Sequence, residues 1–398
     1  MATLRRRAAL AIAGAGLLGG WRGARAQMAA LGFPNGERPL VQYPGKRPLL
    51  RLTTRPPQLE TPFSVYNESL ITPNDAFFVR YHLADIPLEI DPAAFRLQVK
   101  GTVGTALELS LDELKRMGGT EIVAVNQCSG NSRGFFEPRV AGGQAGNGLM
   151  GNARWQGVPL KAVLDRAGVN AGAVQVRFDG MDGPVMETTP DFVKALPLDH
   201  ARDGEVMLAW SMNGDDLPFL NGYPLRLVVP GYYGTYWVKH LNEITVVDQP
   251  VKTFWMDTAY RIPDNHCNCV EPGTTPAKTK PIGRFKVRSF ITSVVDGAQL
   301  STASPVVLKG IAFDGGSGIK QVEVSPDGGK TWQATSLGED LGRYAFRGWQ
   351  AAVTLSPGEH GLQVRATSNA GETQPTTQAW NPAGYLRNVI ETTTVKAG

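Results

Sequence analysis

Three stretches carry side chains able to grip an anion, ligate a metal or move a proton: Phe77-Phe78-Val79-Arg80-Tyr81-His82, Asn126-Gln127-Cys128-Ser129-Gly130-Asn131-Ser132-Arg133, and Asn221-Gly222-Tyr223-Pro224-Leu225-Arg226 followed by Val229-Pro230-Gly231. Each sets a reactive or cationic group where a strand-like run meets turn residues. A thiolate at Cys128 would be a soft ligand for a redox metal. Arg80 and Arg226 could hold an anion bidentately, and His82 could change charge near neutral pH. Taken singly these residues are weak signals, because a lone cysteine often packs as a small hydrophobe and a lone arginine often pairs at the surface.

Only three cysteines occur, Cys128, Cys267 and Cys269, an odd number that makes no disulfide framework and leaves at least one thiol unpaired. Cys267 and Cys269, within His266-Cys267-Asn268-Cys269, lack a second Cys or His pair at zinc-site spacing. The chain has no Cys-x-x-Cys-His motif, so no haem of the c type is expected in it.

The elements that must position these residues alternate. Strand-like runs are predicted at Phe95 to Val99, Glu121 to Val125, Ala173 to Phe178 and Leu225 to Val229, and helical spacing at Leu109 to Met117 and Leu160 to Ala167. Between them lie the glycine loops Gly130 to Gly151 and Gly231 to Trp237, whose backbone can approach a large ligand closely. The Pro-rich stretch from Arg38 to Thr61 reads as an extended arm outside the core. Past about Pro281 the texture changes to short alternating runs, among them Val306 to Leu308, Lys320 to Val324, Trp332 to Ala334, Tyr344 to Arg347 and Leu362 to Ala366. Turn signals such as Pro326-Asp327-Gly328-Gly329 separate them, predicting an immunoglobulin-like β-sandwich. The fold class is therefore α+β, a mixed α/β domain followed by an all-β sandwich. The expected divisions are a leader at 1–26, the arm at 27–62, a catalytic domain at 63–270 and the sandwich at 271–398.

With 398 residues, 46 of them Gly and 28 Pro, the chain is turn-rich and long enough for two or three domains. Hydrophobic residues at 42% exclude a disordered chain. The net charge of +4 is concentrated at the start, where Arg5, Arg6, Arg7, Arg22 and Arg25 precede any acidic residue. With those five set aside, basic residues number 35 against 36 acidic ones, which disfavours nucleic acid as a partner. Arginines, an apolar run from Ala8 to Leu18 and Ala24-Arg25-Ala26 have the layout of an export signal too short to span a membrane. The paired arginines resemble a twin-arginine signal, which implies export of an already folded protein to the periplasm. An ordinary secretory signal is the alternative.

Together the three segments, their order and the terminal sandwich resemble the sulfite oxidase family of molybdenum enzymes, especially its bacterial periplasmic sulfite dehydrogenases. The resemblance runs from about Phe63 to the C-terminus and includes Tyr260-Arg261-Ile262-Pro263. It implies a molybdenum–molybdopterin cofactor, with Cys128 as the protein's metal ligand. Arg80, His82, Asp182, Asn221, Arg226, Trp237, Val238 and Lys239 match positions that contact the pterin and its phosphate; vertebrate members carry His where this chain has Asn221. Arg133 and Arg80 match arginines of the substrate anion pocket, Tyr260 a tyrosine beside the reacting oxygen, and His82 would share its network. A further arginine from the second domain, Arg343 or Arg347, would close that pocket. The implied reaction transfers an oxygen atom to sulfite while two electrons leave singly.

Without haem in the chain, the implied acceptor is a c-type cytochrome, as subunit or transient partner, and the resemblance also implies a homodimer through the C-terminal domain. Two other readings stand beside this one. A sulfane dehydrogenase of a thiosulfate-oxidising complex would act on protein-bound sulfur, and a non-catalytic periplasmic binding module would bind no molybdenum. The methionine sulfoxide reductase branch fits less well because it lacks the sandwich.

Overall fold

The computed structural model describes residues 27–398 of the chain, so the leader reading at 1–26 lies outside the described residues. Among the described residues, no helix is long and apolar enough to cross a membrane.

Two sheets build the frame of the first domain. One runs in the order Lys194–Pro197, Gln175–Gly180, Leu241–Val247, Leu97–Gly101, Leu107–Leu109, with Leu241–Val247 and Leu97–Gly101 parallel. The other runs Asp215–Asp216, Met207–Met212, Met150–Pro159, Thr120–Gln127, and Arg226–Val228 joins it on Met207–Met212. The helices follow from local chemistry. Ser110 and Glu113 form a capping box ahead of Leu111–Arg116. Leu160–Ala167 buries Leu160, Val163, Leu164 and Ala167 on one face and stops at Gly168, whose φ of 70° suits glycine.

The hairpin of Thr120–Gln127 with Met150–Pro159 matters most for function. From Val123 to Gln127 every residue is buried, and the strand delivers Asn126 and Gln127 directly to Cys128 at its end. The Cys128 amide still pairs with Leu149 O at 2.9 Å, so the residues between them form one long loop at the hairpin tip. That loop is tied down internally by Asn131 Oδ1, which accepts the Leu149 amide at 2.9 Å. It is also held by Glu60, whose carboxylate accepts Gly146 N at 2.9 Å and Gly148 N at 2.8 Å.

Glu60 belongs to the segment read from sequence as an arm without core, and here the structure differs. Met28–Ala30, Glu37–Val41, Leu49–Thr53, Gln58–Glu60 and Val79–Arg80 form one sheet, whose Leu49 and Leu59 join Val79 and Tyr81 in a small core. The proline content masked strands that hold only a few apolar residues each.

The C-terminal domain is a sandwich of a four-stranded sheet and a five-stranded sheet, packed through Leu308, Val322, Val324, Trp349, Leu362, Val364 and Val395. Tyr344 to Phe346, expected as a strand, instead packs its rings into the core shared with the first domain. The strand begins at Arg347. Tyr344 O accepts the Val125 amide at 2.9 Å, so this stretch docks on the strand that carries Cys128. Its flanking arginines pair with carboxylates: Arg343, exposed, with Glu205, and the largely buried Arg347 with Asp340 at 2.9 Å. Neither closes a pocket around Cys128, contrary to the expectation for a second-domain arginine. Cys267 and Cys269 are joined by a disulfide, while Cys128 is free.

Candidate active site

A cavity of about 590 Å³, counted to its open mouth, gathers most of the singled-out residues. Arg80, His82, Cys128, Asp182, Asn221, Arg226, Trp237, Lys239 and Tyr260 all line it. They arrive on different elements: Cys128 at the hairpin tip, Arg80 at the end of Val79–Arg80, Arg226 at the start of Arg226–Val228, and Trp237 and Lys239 on the glycine loop after Val229. Two residues stand apart from the lining. Val238 is packed in the core with its carbonyl on Leu227 N, and Arg133 lies alongside, its Nε donating to Ala383 O at 3.1 Å.

Two of the lining residues, Arg226 and Lys239, form a buried cationic group. Arg226 is buried, donating to Asn221 O at 2.8 Å and Trp237 O at 3.3 Å, and its guanidinium lies over the Trp155 ring at 5.1 Å. Burial lowers it to about 9, since no carboxylate compensates its charge. Lys239 donates to Arg80 O at 2.6 Å and sits over the Tyr81 ring. Burial, with the like charges of Arg226 and Arg80, lowers Lys239 to about 7 against the opposing pull of the facing Asp182, while burial raises the Asp182 carboxyl.

Asn221 lines the cavity too but has both ends of its amide engaged: Nδ2 donates to Phe78 O at 3.0 Å, and Oδ1 accepts Lys46 Nζ at 2.5 Å. Lys46, which sequence reasoning missed, also donates to Asn74 O at 2.7 Å and Phe77 O at 3.0 Å, and burial lowers it to about 7. It comes from the N-terminal segment, where nothing in the sequence pointed to the site.

A second group in the same cavity is Tyr260, His82 and Arg80. Tyr260 has its hydroxyl in a short hydrogen bond with His82 Nε2 and 3.5 Å from Arg80 Nη2, and its backbone adopts a left-handed φ of 59°. Strain of that kind on a tyrosine persists where surrounding packing demands it. Here the ring lies parallel to Tyr385 at 5.7 Å. His82 stacks on Phe192 at 3.6 Å, and burial next to Arg80, Lys239 and Lys194 holds it well below its usual value, so it is neutral at pH 7. Burial also raises the Tyr260 hydroxyl above its usual value, and the positive charges of Arg80 and Arg133 counter that rise. A proton therefore rests on the Tyr260 oxygen at neutral pH.

The wall also contains polar atoms with no protein partner among the described residues: Asn126 Oδ1, Ser129 Oγ, Thr235 Oγ1 and Arg226 Nε. Such buried atoms are costly unless a ligand meets them. Gly234 lies against this wall, where an added Cβ would fall 2.4 Å from Asn126 Oδ1. Donors, acceptors and two cations inside aromatic walls suit a polar heterocycle bearing a phosphate, and the thiol of Cys128 suits a soft metal. Asn126 and Ser129 flank Cys128 in the motif itself, which could have marked them from sequence.

Residues 83–255 match the oxidoreductase molybdopterin binding domain family, and residues 279–397 match the Mo-co oxidoreductase dimerisation domain family. The chain is 35% identical to the mitochondrial sulfite oxidase of Rattus norvegicus, over 88% of this chain and 66% of that protein. It is 32% identical to the sulfite oxidase of Gallus gallus, over 89% of this chain and 79% of that protein. The chain thus spans just under two thirds of the mammalian mitochondrial proteins it matches. Among solved structures, the sulfane dehydrogenase SoxCD from Paracoccus pantotrophus aligns with a TM-score of 0.74 and 27% identity, covering 90% of this chain and 88% of that one. The group that fits the cavity is accordingly a molybdenum–molybdopterin cofactor.

Proposed function

The chain belongs to the sulfite oxidase family of molybdenum enzymes, and from that premise we propose that it oxidises sulfite to sulfate and passes the electrons singly to a c-type cytochrome in the periplasm. The observation that carries this reading is the placement of the free thiol of Cys128 in one cavity with Arg80, His82, Tyr260, Arg226 and Lys239. In this reading Cys128 is the protein's metal ligand. Arg226, Lys239 and the unpartnered atoms of Asn126, Ser129 and Thr235 hold the pterin and its phosphate. When bound, the cofactor supplies oxygen-atom transfer and takes up two electrons.

The chain's own residues bind and orient the substrate. Sulfite is a small anion, and Arg80 with Arg133 supplies cations near Tyr260. Holding the anion between fixed cations in a partly dry cavity removes orientational freedom before reaction. Tyr260 keeps its proton and, through His82, a fixed direction, so its hydroxyl can donate to an oxygen of the substrate or product. Phe77 and Phe78 line the cavity as apolar wall, and Phe192 stacks on His82.

The leader supports export in a folded state, and the dimerisation-type domain supports a homodimer. The likeness to SoxCD favours a second reading, in which the sulfur oxidised is attached to a carrier protein. Purified, molybdenum-loaded chain mixed with sulfite and cytochrome c separates the two. Rapid, sulfite-dependent reduction of cytochrome c supports sulfite oxidation, while inertness to free sulfite with turnover of a persulfidated carrier supports the alternative. Sulfite consumption with dioxygen alone as acceptor would defeat the cytochrome part of the proposal.

A further inference from the structure

The segment 381–387 of the C-terminal domain belongs to neither sheet of the sandwich, yet it is tightly determined. Asn381, itself buried, clamps Tyr385 at both backbone atoms: Oδ1 accepts the Tyr385 amide at 3.1 Å and Nδ2 donates to Tyr385 O at 2.8 Å. Gly384 and Leu386 both have left-handed φ, 62° and 61°. A turn so constrained outside a sheet serves something it touches.

What it touches is Arg133. Ala383 O accepts Arg133 Nε at 3.1 Å, and the guanidinium carbon stands 5.1 Å from the centre of the Tyr385 ring. A Cβ on Gly384 would come within 2.5 Å of Val140 Cγ2, 2.9 Å of Arg133 Cγ and 3.1 Å of Arg133 Nε, so the arginine and Val140 both pass where only glycine leaves room. The opposite face of the problem is Tyr260, whose ring is parallel to that of Tyr385 within 7°. The residue before Arg133 is held from the same domain: Ser132 Oγ accepts Arg288 Nη2 at 2.7 Å, and Arg288 pairs with Glu391 at 2.7 Å.

We infer that Tyr385 is a positioning residue for the substrate anion: its ring fixes the direction of Arg133 and backs Tyr260, so that the C-terminal domain supports the anion pocket from behind its lining. This rests on the sulfite-oxidising reading of the site. The domain thereby does more than join subunits, since removing its ring leaves Arg133 with its cation–π partner gone and only one backbone bond to aim it.

The test uses the full, molybdenum-loaded chain with Tyr385→Leu, Tyr385→Phe and Gly384→Ala. Tyr385→Leu is expected to raise KM for sulfite about tenfold and to change kcat by less than about twofold, the size expected for one desolvated cation–π contact. Gly384→Ala should shift KM in the same direction by crowding Arg133, and Tyr385→Phe, which keeps the ring, should recover most of the loss. Sulfate affinity by calorimetry gives a readout independent of turnover, and it should fall about tenfold in Tyr385→Leu. Wild-type KM and sulfate affinity in both Tyr385→Leu and Gly384→Ala would overturn the inference, as would a fall in kcat with KM unchanged. A wild-type protein that binds sulfate but turns over no sulfite would refute the functional reading instead, and the sulfate comparison would still decide the role of Tyr385.

Discussion

Replacing Arg226 with methionine should move stability and cofactor loading in opposite directions. Arg226 is buried with no carboxylate partner, and burial has pulled it from the ordinary guanidinium value down to about 9. A displacement of that size corresponds to about 4 to 5 kcal/mol disfavouring the charged form in the folded protein. Methionine removes that cost and fills similar volume. Against it stand two carbonyls, Asn221 O and Trp237 O, which lose their donor at about 1 kcal/mol each. The contacts with Trp155 and Trp237 contribute a further ~0.5 kcal/mol. The cofactor-free variant should therefore be more stable than the parent by about 2 kcal/mol.

The loaded state should suffer the reverse. A guanidinium facing a phosphate in a dry cavity contributes about 1.5 to 3 kcal/mol, so loading should weaken ten- to a hundredfold. Urea unfolding of protein made without the cofactor reads the first effect, and molybdenum per chain in protein made with it reads the second. A variant that is less stable without cofactor would refute the burial cost assigned to Arg226, and one that carries as much molybdenum as the parent would refute its assignment to the phosphate.

Other substitutions probe the remaining roles. Arg133→Gln should raise KM for sulfite ten- to a hundredfold, from the loss of about 1.5 to 3 kcal/mol of charged contact, and Tyr260→Phe should lower kcat by removing the hydroxyl that His82 aims. Steady-state kinetics that leave both parameters at parental values would place the pocket elsewhere. Lys194 is buried, donates only to Trp255 O at 2.6 Å and is lowered by burial to about 7 from 10.5. Between those two values the unfolded chain holds more protons than the folded one, so this lysine makes stability rise with pH across that window. Lys194→Met should flatten the increase between pH 7 and 9.5 by up to about 3 kcal/mol, and superimposable urea curves for variant and parent at both pH values would contradict it.

Much of this site could be read from the sequence because its chemistry sits on local motifs. Cys128 lies just after a β-branched apolar run that reads as a buried strand, and Arg226 and Lys239 flank a glycine loop. The helix Leu160–Ala167 matches its apolar spacing residue for residue. What escaped the sequence depends on contacts between distant segments. Lys46 reaches Asn221 across 175 positions, and Arg133 meets Ala383 across 250, pairings that no local pattern encodes. Tyr344 to Phe346 alternates like a strand but buries its aromatic rings against the neighbouring domain, and Arg343 and Arg347 pair with Glu205 and Asp340 away from the cavity. The disulfide between Cys267 and Cys269 resolves the odd cysteine count by leaving Cys128 as the free thiol. Cys267→Ser and Cys269→Ser should accordingly leave turnover intact.

The central claim is that Cys128 is the protein's bond to molybdenum in this cavity, and X-ray absorption at the molybdenum edge tests it most directly. Sulfur scattering around the metal should show three sulfur neighbours in the parent protein, two from the pterin and one from Cys128, and two in Cys128→Ser, whose sulfite turnover should be nearly lost while the fold and pterin content persist. An unchanged sulfur count and near-parental turnover in Cys128→Ser would contradict the account.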